Sequence, residues 1–234
     1  MNSNLVKKHF DNMCNIYDNI AFNSSLGLKY MSKIETNFLL RSIKNRKGKC
    51  LDVGAGTGRI SSLLAEKFDV TAIDLSLKMM SIAKRKIKSK SIKFMAVDVN
   101  KPLKFQDNTF DLIVCIRVLK YVKNWRYVLK EFNRILKDKG EVIIEFANLY
   151  SVQFFGLYSA KYFLFDLREV EKELKKSGFL ILSYQNGLRI PLPVYNQINN
   201  KEILRIFIKF EKLIAKILPY HLFAKNVVYH IKKV

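Results

Sequence analysis

From Lys49 onward, short apolar runs alternate with longer amphipathic stretches, and few folds accommodate that rhythm. The runs are Cys50–Val53, Val70–Asp74, Ile92–Val97, Phe110–Ile116 and Glu141–Phe146. Most are short and rich in β-branched or aromatic residues with polar flanks, which is the pattern of buried strands. Between them, Ile60, Leu63, Leu64 and Phe68 recur at helical spacing, as do Leu77, Met80, Ala83 and Ile87. A third helix is expected from Trp125 to Leu136, with Val128, Leu129, Phe132 and Ile135 on one face and Gly140 as its stop. Crossover helices of this kind force neighbouring strands to run parallel. The expected core is therefore a doubly wound α/β sheet.

Further along, Asp166–Lys176 reads as a helix leading through Gly178 into a sixth strand, Phe179–Tyr184. Residues 149 to 165 carry Tyr150, Phe154, Phe155, Tyr158, Tyr162, Phe163 and Phe165 without a clean period. Pro191 and Pro193 then interrupt regularity before a long helix from about Asn200 to Leu218, and Val227–Ile231 reads as a last strand returning beside the sixth. The length of 234 residues and the 49% hydrophobic fraction suit one domain with embellishments. It divides into an N-terminal helical cap (1–45), a core (46–147) and a C-terminal region (148–234).

Where the first strand meets the first helix lies Asp52-Val53-Gly54-Ala55-Gly56-Thr57-Gly58, at the carboxyl edge where open α/β sheets bind ligands. Glycine permits a sharp turn and a close backbone approach, and the helix that follows presents unpaired N–H groups. A dinucleotide fingerprint would place its third glycine at position 59, where this chain has Arg59; here it falls at Gly58. Asp74 ends the second strand 20 residues after Gly54, where a carboxylate can accept hydrogen bonds from ribose hydroxyls.

That glycine spacing, with Asp52 two positions ahead of Gly54, resembles motif I of the class I S-adenosylmethionine-dependent methyltransferases. The stretches Ala96-Val97-Asp98-Val99, Phe105 to Val114, and Glu131 to Lys137 followed by Gly140 resemble later parts of the same family, so the likeness spans roughly residues 45 to 147. It implies a Rossmann-like, mostly parallel seven-stranded sheet with a C-terminal helical insertion, and S-adenosylmethionine as cofactor. Carried over by position, it implies a cofactor-binding set of Tyr17, Asp52, Gly54, Ala55, Gly56, Gly58, Asp74, Leu75, Met79, Asp98, Val99 and Cys115. Phe10-Asp11 and Tyr17-Asp18 resemble the family's leading helix, whose aromatic residue can cap the cofactor site. Where members resembling the ubiquinone and menaquinone biosynthesis enzymes carry Leu-x-His after the fourth strand, this chain has Leu119-Lys120-Tyr121. A mechanism borrowed from that histidine does not transfer.

Methyl transfer from a sulfonium is an in-line displacement, in which alignment supplies much of the rate and a base is needed only if the acceptor must lose a proton. The fourth strand does not lead into Asn-Pro-Pro-Tyr or Asp-Pro-Pro-Tyr, the motif of amino-group methyltransferases, which favours an oxygen or carbon acceptor. The candidate catalytic residues at that edge are Arg117, as a holder of anionic substrate, and Tyr121, through its hydroxyl. Both also have ordinary structural readings, as an ion-pair partner and a packed ring.

The formal charge of +22 attracts nucleic acid, anionic membranes or acidic substrates alike, or is simply a solvated lysine-rich surface. From Gln185 to the end, nine Lys and Arg residues face only Glu202 and Glu211. The helix after Asn200 sets Ile203, Phe207, Phe210, Ile214 and Ile217 on one face, and Arg205, Lys209, Lys212 and Lys216 form a stripe. Two readings stay open: a lid whose apolar face packs on the sheet, or peripheral contact with an anionic membrane. The expected acceptor is a small or lipid-like molecule. RNA or protein methylation, and non-catalytic cofactor binding as a partner protein, are the alternatives; no appended nucleic-acid module is visible, so nucleic acid ranks lower.

Cys14, Cys50 and Cys115 give neither a disulfide framework nor a zinc set, and His9, His221 and His230 show no metal-binding spacing, so no metal is expected. The start Met1-Asn2-Ser3-Asn4 lacks a secretory pattern, and no apolar run reaches the roughly 18 to 20 residues a membrane span needs. A cytoplasmic location, with membrane contact at most peripheral, is the expectation. No sequence feature sets an oligomeric state.

Overall fold

Alternate burial along the strands builds the molecule. In β1 (Gly48–Val53), Leu51 and Val53 point to one side and Cys50 to the other; in β4 (Phe110–Cys115), Ile113 and Cys115 oppose Leu112 and Val114. With side chains burying on both faces, the sheet must be covered twice. In the computed structural model, which describes residues 2–88, 91–151, 162–189, 191–219 and 223–234, this is what the helices do.

The remaining strands are β2 (Phe68–Asp74), β3 (Ile92–Ala96), β5 (Leu136–Ala147), β6 (Phe179–Asn186) and β7 (Asn226–Lys233). The sheet order is β3-β2-β1-β4-β5-β7-β6. The first five strands run parallel, and β7 lies antiparallel between β5 and β6. The fold is thus a Rossmann-like, mostly parallel sheet of seven strands, as the alternating pattern predicts.

One face is covered by α5 (Trp125–Ile135) and α6 (Leu167–Lys176) through Val128, Leu129, Phe132, Val170 and Leu174. Trp125, Phe146 and Phe165 close this layer edge to face, with centroids 5.2 to 5.6 Å apart. The other face is covered by α2 (Leu26–Ser42) and α3 (Arg59–Leu64) through Phe38, Leu39, Ile60 and Leu64. The chain begins with α1 (Ser3–Met13), and α4 (Leu77–Lys86) joins β2 to β3. Between β6 and β7 are inserted α7 (Leu192–Gln197) and α8 (Lys201–Ile217).

Several local expectations shift. Phe68 opens β2 instead of closing the first helix, because α3 ends at Leu64 and Phe68 buries its ring against the second core layer. Gly140 is not the stop of α5: Leu136 caps that helix with an extended backbone and already pairs with Phe110. The four residues that follow bulge out before Glu141 pairs with Leu112, and a Cβ on Gly140 would stand 2.8 Å from the Lys137 carbonyl. Of the aromatic stretch, Phe154, Phe155 and Tyr158 lie outside the described residues.

The expected apolar face of α8 splits in two. Leu204 and Phe207 turn inward onto Tyr195, Ile198 and the start of α2, and Glu211 is buried, its carboxylate accepting the Arg189 N–H at 2.9 Å. Ile203, Ile206, Phe210, Leu213 and Ile217 face outward, the last with 71% of its surface exposed. Among the described residues the inward side chains of α8 pack with α2 and α7, in a cluster that includes no strand residue, which departs from a lid laid on the sheet. Among the described residues no helix is long and apolar enough to cross a membrane.

Candidate active site

The strand order reverses direction at β1, whose neighbours β2 and β4 lead to opposite sides, and a crevice opens above their carboxyl ends. The glycine turn forms its floor. Gly54 and Ala55 donate N–H groups to the Ile73 carbonyl at 2.8 and 3.0 Å, tying the turn to the end of β2. Gly54, Gly56 and Gly58 all have positive φ, at 71°, 55° and 86°. A Cβ on Gly56 would meet nothing nearer than 3.9 Å, so its backbone lies bare toward the cleft. Gly58 serves a different purpose: it begins α3, and a Cβ there would strike Ile87 at 2.4 Å and Ala83 at 3.0 Å.

The cleft is partly open to solvent. Of the residues expected to bind cofactor, Tyr17, Gly54, Ala55, Gly56, Asp74, Leu75, Met79, Asp98 and Val99 line it, as do Arg117 and Tyr121. Asp52, Gly58 and Cys115 do not. Cys115 is buried in the core beneath, and burial pushes its thiol well above the usual range. Asp52 lies under the turn, where Ser61 Oγ donates to its Oδ2 at 2.5 Å. Burial pushes Asp52 up to about 6, against the Ser61 hydrogen bond and the Arg59 charge.

Asp74 closes the far side. Its Oδ2 accepts the Gly56 N–H at 2.8 Å and its Oδ1 the Ser76 N–H at 2.7 Å, so one carboxylate braces both the glycine turn and the start of α4. Burial raises its pKa, and those backbone donors restrain the rise. Asp98 accepts from the backbone and side-chain nitrogens of Asn100, both at 3.0 Å. Partial burial works to raise Asp98, but the Asn100 donors and the Ser3 hydroxyl outweigh it and hold the carboxylate low.

The N-terminal segment roofs the cleft. Ser3, Val6, Phe10, Tyr17 and Phe22 all line it, and Asp11 anchors the segment by accepting from Ser76 Oγ at 2.5 Å. Edge-to-face contacts link Phe10 to Tyr17 (5.9 Å) and to Tyr121 (5.3 Å), and Tyr17 to Phe22 (5.7 Å). Beneath Phe22 lie two guanidiniums, Arg59 at 4.4 Å and Arg117 at 4.5 Å from the ring centre. Arg117 has a left-handed backbone, φ 66°, immediately past β4, and its N–H donates to Glu145 Oε2 at 3.1 Å. Both guanidiniums donate to the buried Glu35 carboxylate. Phe22, Glu35 and Arg59 were not among the expected site residues. Arg59 follows Gly58 directly, a signal open to reading, whereas nothing local marks Glu35 in the middle of α2.

The cleft suits an adenosine ligand on these grounds: bare glycine backbone, two carboxylates, and an apolar slot of Leu75, Met79, Val97 and Val99. The methyltransferase-domain family matches residues 51–144, the strands and turn that build this cleft. A demethylmenaquinone methyltransferase from Staphylococcus aureus is 30% identical over 182 residues, covering 75% of this chain and 74% of that protein.

The chain is a class I S-adenosylmethionine-dependent methyltransferase.

Its cofactor is S-adenosylmethionine. The methyltransferase is also similar to a malonyl-[acyl-carrier protein] O-methyltransferase from Priestia megaterium, 28% identical over 147 residues, covering 61% of this chain and 51% of the relative. The crystal structure of the [4+2]-cyclase SpnF superimposes on it with a TM-score of 0.73 at 17% identity, covering 100% of this chain and 97% of that one. At that identity the likeness speaks for the fold alone. Within the fold, the glycine turn and Asp74 form one end of the cleft, and Phe10, Tyr17 and Phe22 roof it.

Proposed function

We propose that this methyltransferase modifies a small or lipid-like acceptor at oxygen or carbon. The observation that carries the reading is the aromatic mouth of the cleft, where Phe10, Tyr17, Phe22 and Tyr121 leave an apolar approach for the acceptor beside Arg117. Burial pushes the Tyr121 phenol well above its ordinary range, so it meets an acceptor as a hydrogen-bond donor and not as a base. The relatives named for demethylmenaquinone and for malonyl-[acyl-carrier protein] O-methylation support the same class of acceptor. The test is incubation with labelled S-adenosylmethionine and a cell extract divided into lipid, small-molecule, RNA and protein fractions. Label in the lipid or small-molecule fraction is expected; label confined to RNA or protein overturns the reading.

The same proposal makes the enzyme cytoplasmic with reversible membrane contact through α8. Its outward residues Ile203, Ile206, Phe210, Leu213 and Ile217 step by three and four along one stripe, each preceded by a charged or basic neighbour among Glu202, Arg205, Lys209, Lys212 and Lys216. An apolar stripe edged with cations matches an acyl layer under anionic headgroups. Flotation with phosphatidylglycerol-containing vesicles at low salt is expected, with loss on Ile206→Glu; absence of flotation by the unaltered protein removes the membrane contact.

A further inference from the structure

A second chamber opens behind Arg117, whose side chain forms part of the wall of both cavities. It lies, partly open to solvent, between α2 and the ends of β5, β6 and β7. Its charged and polar walls are Glu35, Arg117, Lys120, Glu145, Asn186 and Lys225.

The two carboxylates are already committed. Glu35 takes Arg59 and Arg117, while Glu145 accepts the Arg117 N–H at 3.1 Å and Asn226 Nδ2 at 2.6 Å. The two ammonium groups are not. Among the described residues neither Lys120 nor Lys225 makes a side-chain hydrogen bond or ion pair, and Lys120 only lies over the rings of Tyr121 and Tyr162, at 5.3 and 5.1 Å. Asn186 Oδ1 is buried here with no donor among the described residues. Arg117, Lys120 and Lys225 therefore set three cations against two carboxylates in a half-buried space.

Such an excess costs free energy unless a counter-charge arrives. At Lys225, burial, helped by Arg117 and Lys120, pulls the ammonium down to about 7. Lys120 is lowered as well, first by burial.

We propose that this chamber is a subsite for an anionic oxygen group of the methyl acceptor, a carboxylate or a phosphate, held by Lys120 and Lys225 with Arg117 at the passage to the cofactor cleft. The inference rests on the methyl-transfer reading for what the bound molecule is, and on the chamber alone for its charge. Asn186 Oδ1 then receives a hydroxyl beside the anionic group. Neither lysine was singled out by sequence, since Lys120 sits in a 3-10 turn and Lys225 just ahead of β7, more than a hundred residues apart.

The test is amine acylation of the intact protein at pH 7, read residue by residue by peptide mass spectrometry, with octanoate, octyl phosphate or uncharged octanamide present. A lysine near pKa 7 is about half neutral and reacts readily, and an anion beside it restores the proton. Saturable slowing of Lys225 acylation by about tenfold is expected with octanoate or octyl phosphate, and which of the two acts more strongly tells carboxylate from phosphate. Surface Lys209 should be unaffected, and Lys120→Met should weaken the protection. Failure of both anions to slow Lys225, equal protection by octanamide, or undiminished octanoate binding by a Lys225→Met variant in calorimetry overturns the proposal. Calorimetry with S-adenosylhomocysteine runs separately: no binding there strikes the methyl-transfer reading, while protection of Lys225 answers for the chamber.

Discussion

Glu35 Oε2, in the middle of α2, accepts Arg117 Nε at 3.1 Å, while its other oxygen takes Arg59 from the start of α3. The carboxylate is buried, and although burial alone would raise its pKa, Arg117 and Arg59 together hold it below the ordinary range. One side chain thereby ties the outer helix layer to both the glycine turn and the acceptor edge. Glu35→Gln would leave two half-buried guanidiniums facing each other under Phe22. A loss of about 2 to 4 kcal/mol in urea unfolding is expected, together with weaker S-adenosylhomocysteine binding in calorimetry. A change within about 0.5 kcal/mol would mean the pair carries no structural weight.

Gly54 and Gly58 share the motif but not the job. A Cβ on Gly54 would stand 2.2 Å from Val118 Cγ2 at the base of the cleft, while one on Gly58 would wedge α3 away from α4. Gly54→Ala should cut affinity for S-adenosylhomocysteine by tenfold or more in calorimetry, by displacing the cleft wall. Gly58→Ala should lower the free energy of unfolding by about 1 to 3 kcal/mol, with a smaller effect on affinity in the protein that stays folded. Reversal of that order would put Gly58 at the cofactor.

The parallel core was legible because Leu51, Val53, Ile113 and Cys115 alternate with Cys50, Leu112 and Val114 in short runs, and strand period is written locally. The placement of Asp74 and Asp98 at the cleft was legible because their distance from the glycine turn is fixed by strand and helix length. Cys115 shows where that reasoning stops: it sits at the strand end where a cleft residue belongs, but the pleat turns it into the core. Glu35, Lys120 and Lys225 were beyond reach for a different reason. Their meeting depends on how α2 crosses the sheet and on β7 slipping between β5 and β6, neither of which has a local spacing to betray it.

Asp52 makes stability depend on pH in a particular direction. Its folded pKa of about 6 stands above the 3.8 of an unperturbed aspartate, so the folded state keeps a proton the unfolded chain has lost. That contribution is fully present below about pH 3.8 and is lost as pH rises past about 6. At pH 8 the ionised carboxylate costs about 2 to 3 kcal/mol. Asp52→Asn, which still accepts from Ser61, should therefore raise the unfolding midpoint at pH 8 and raise it less at pH 5, as denaturant titrations at the two values would show. Equal gains at both would assign the effect to packing.

Tyr121 separates positioning from proton transfer. Burial is the main cause of its raised pKa, and the neighbouring Tyr162 and Tyr17 add to it, so the hydroxyl keeps its proton throughout the range in which the enzyme can be assayed. Its ring packs edge to face against Phe10 at 5.3 Å and Tyr162 at 5.4 Å, and its hydroxyl hydrogen-bonds Tyr162, the partner an acceptor would replace. Tyr121→Phe keeps the ring and removes the donor, and a hydrogen bond that orients the acceptor is worth about 1 kcal/mol, more if charge develops on it. A fall of about five- to tenfold in kcat is expected, measured on the extract fraction that takes label, with the shape of the rate profile between pH 6 and 9 unchanged. A basic limb that disappears in the variant would instead make Tyr121 the residue that removes the acceptor's proton.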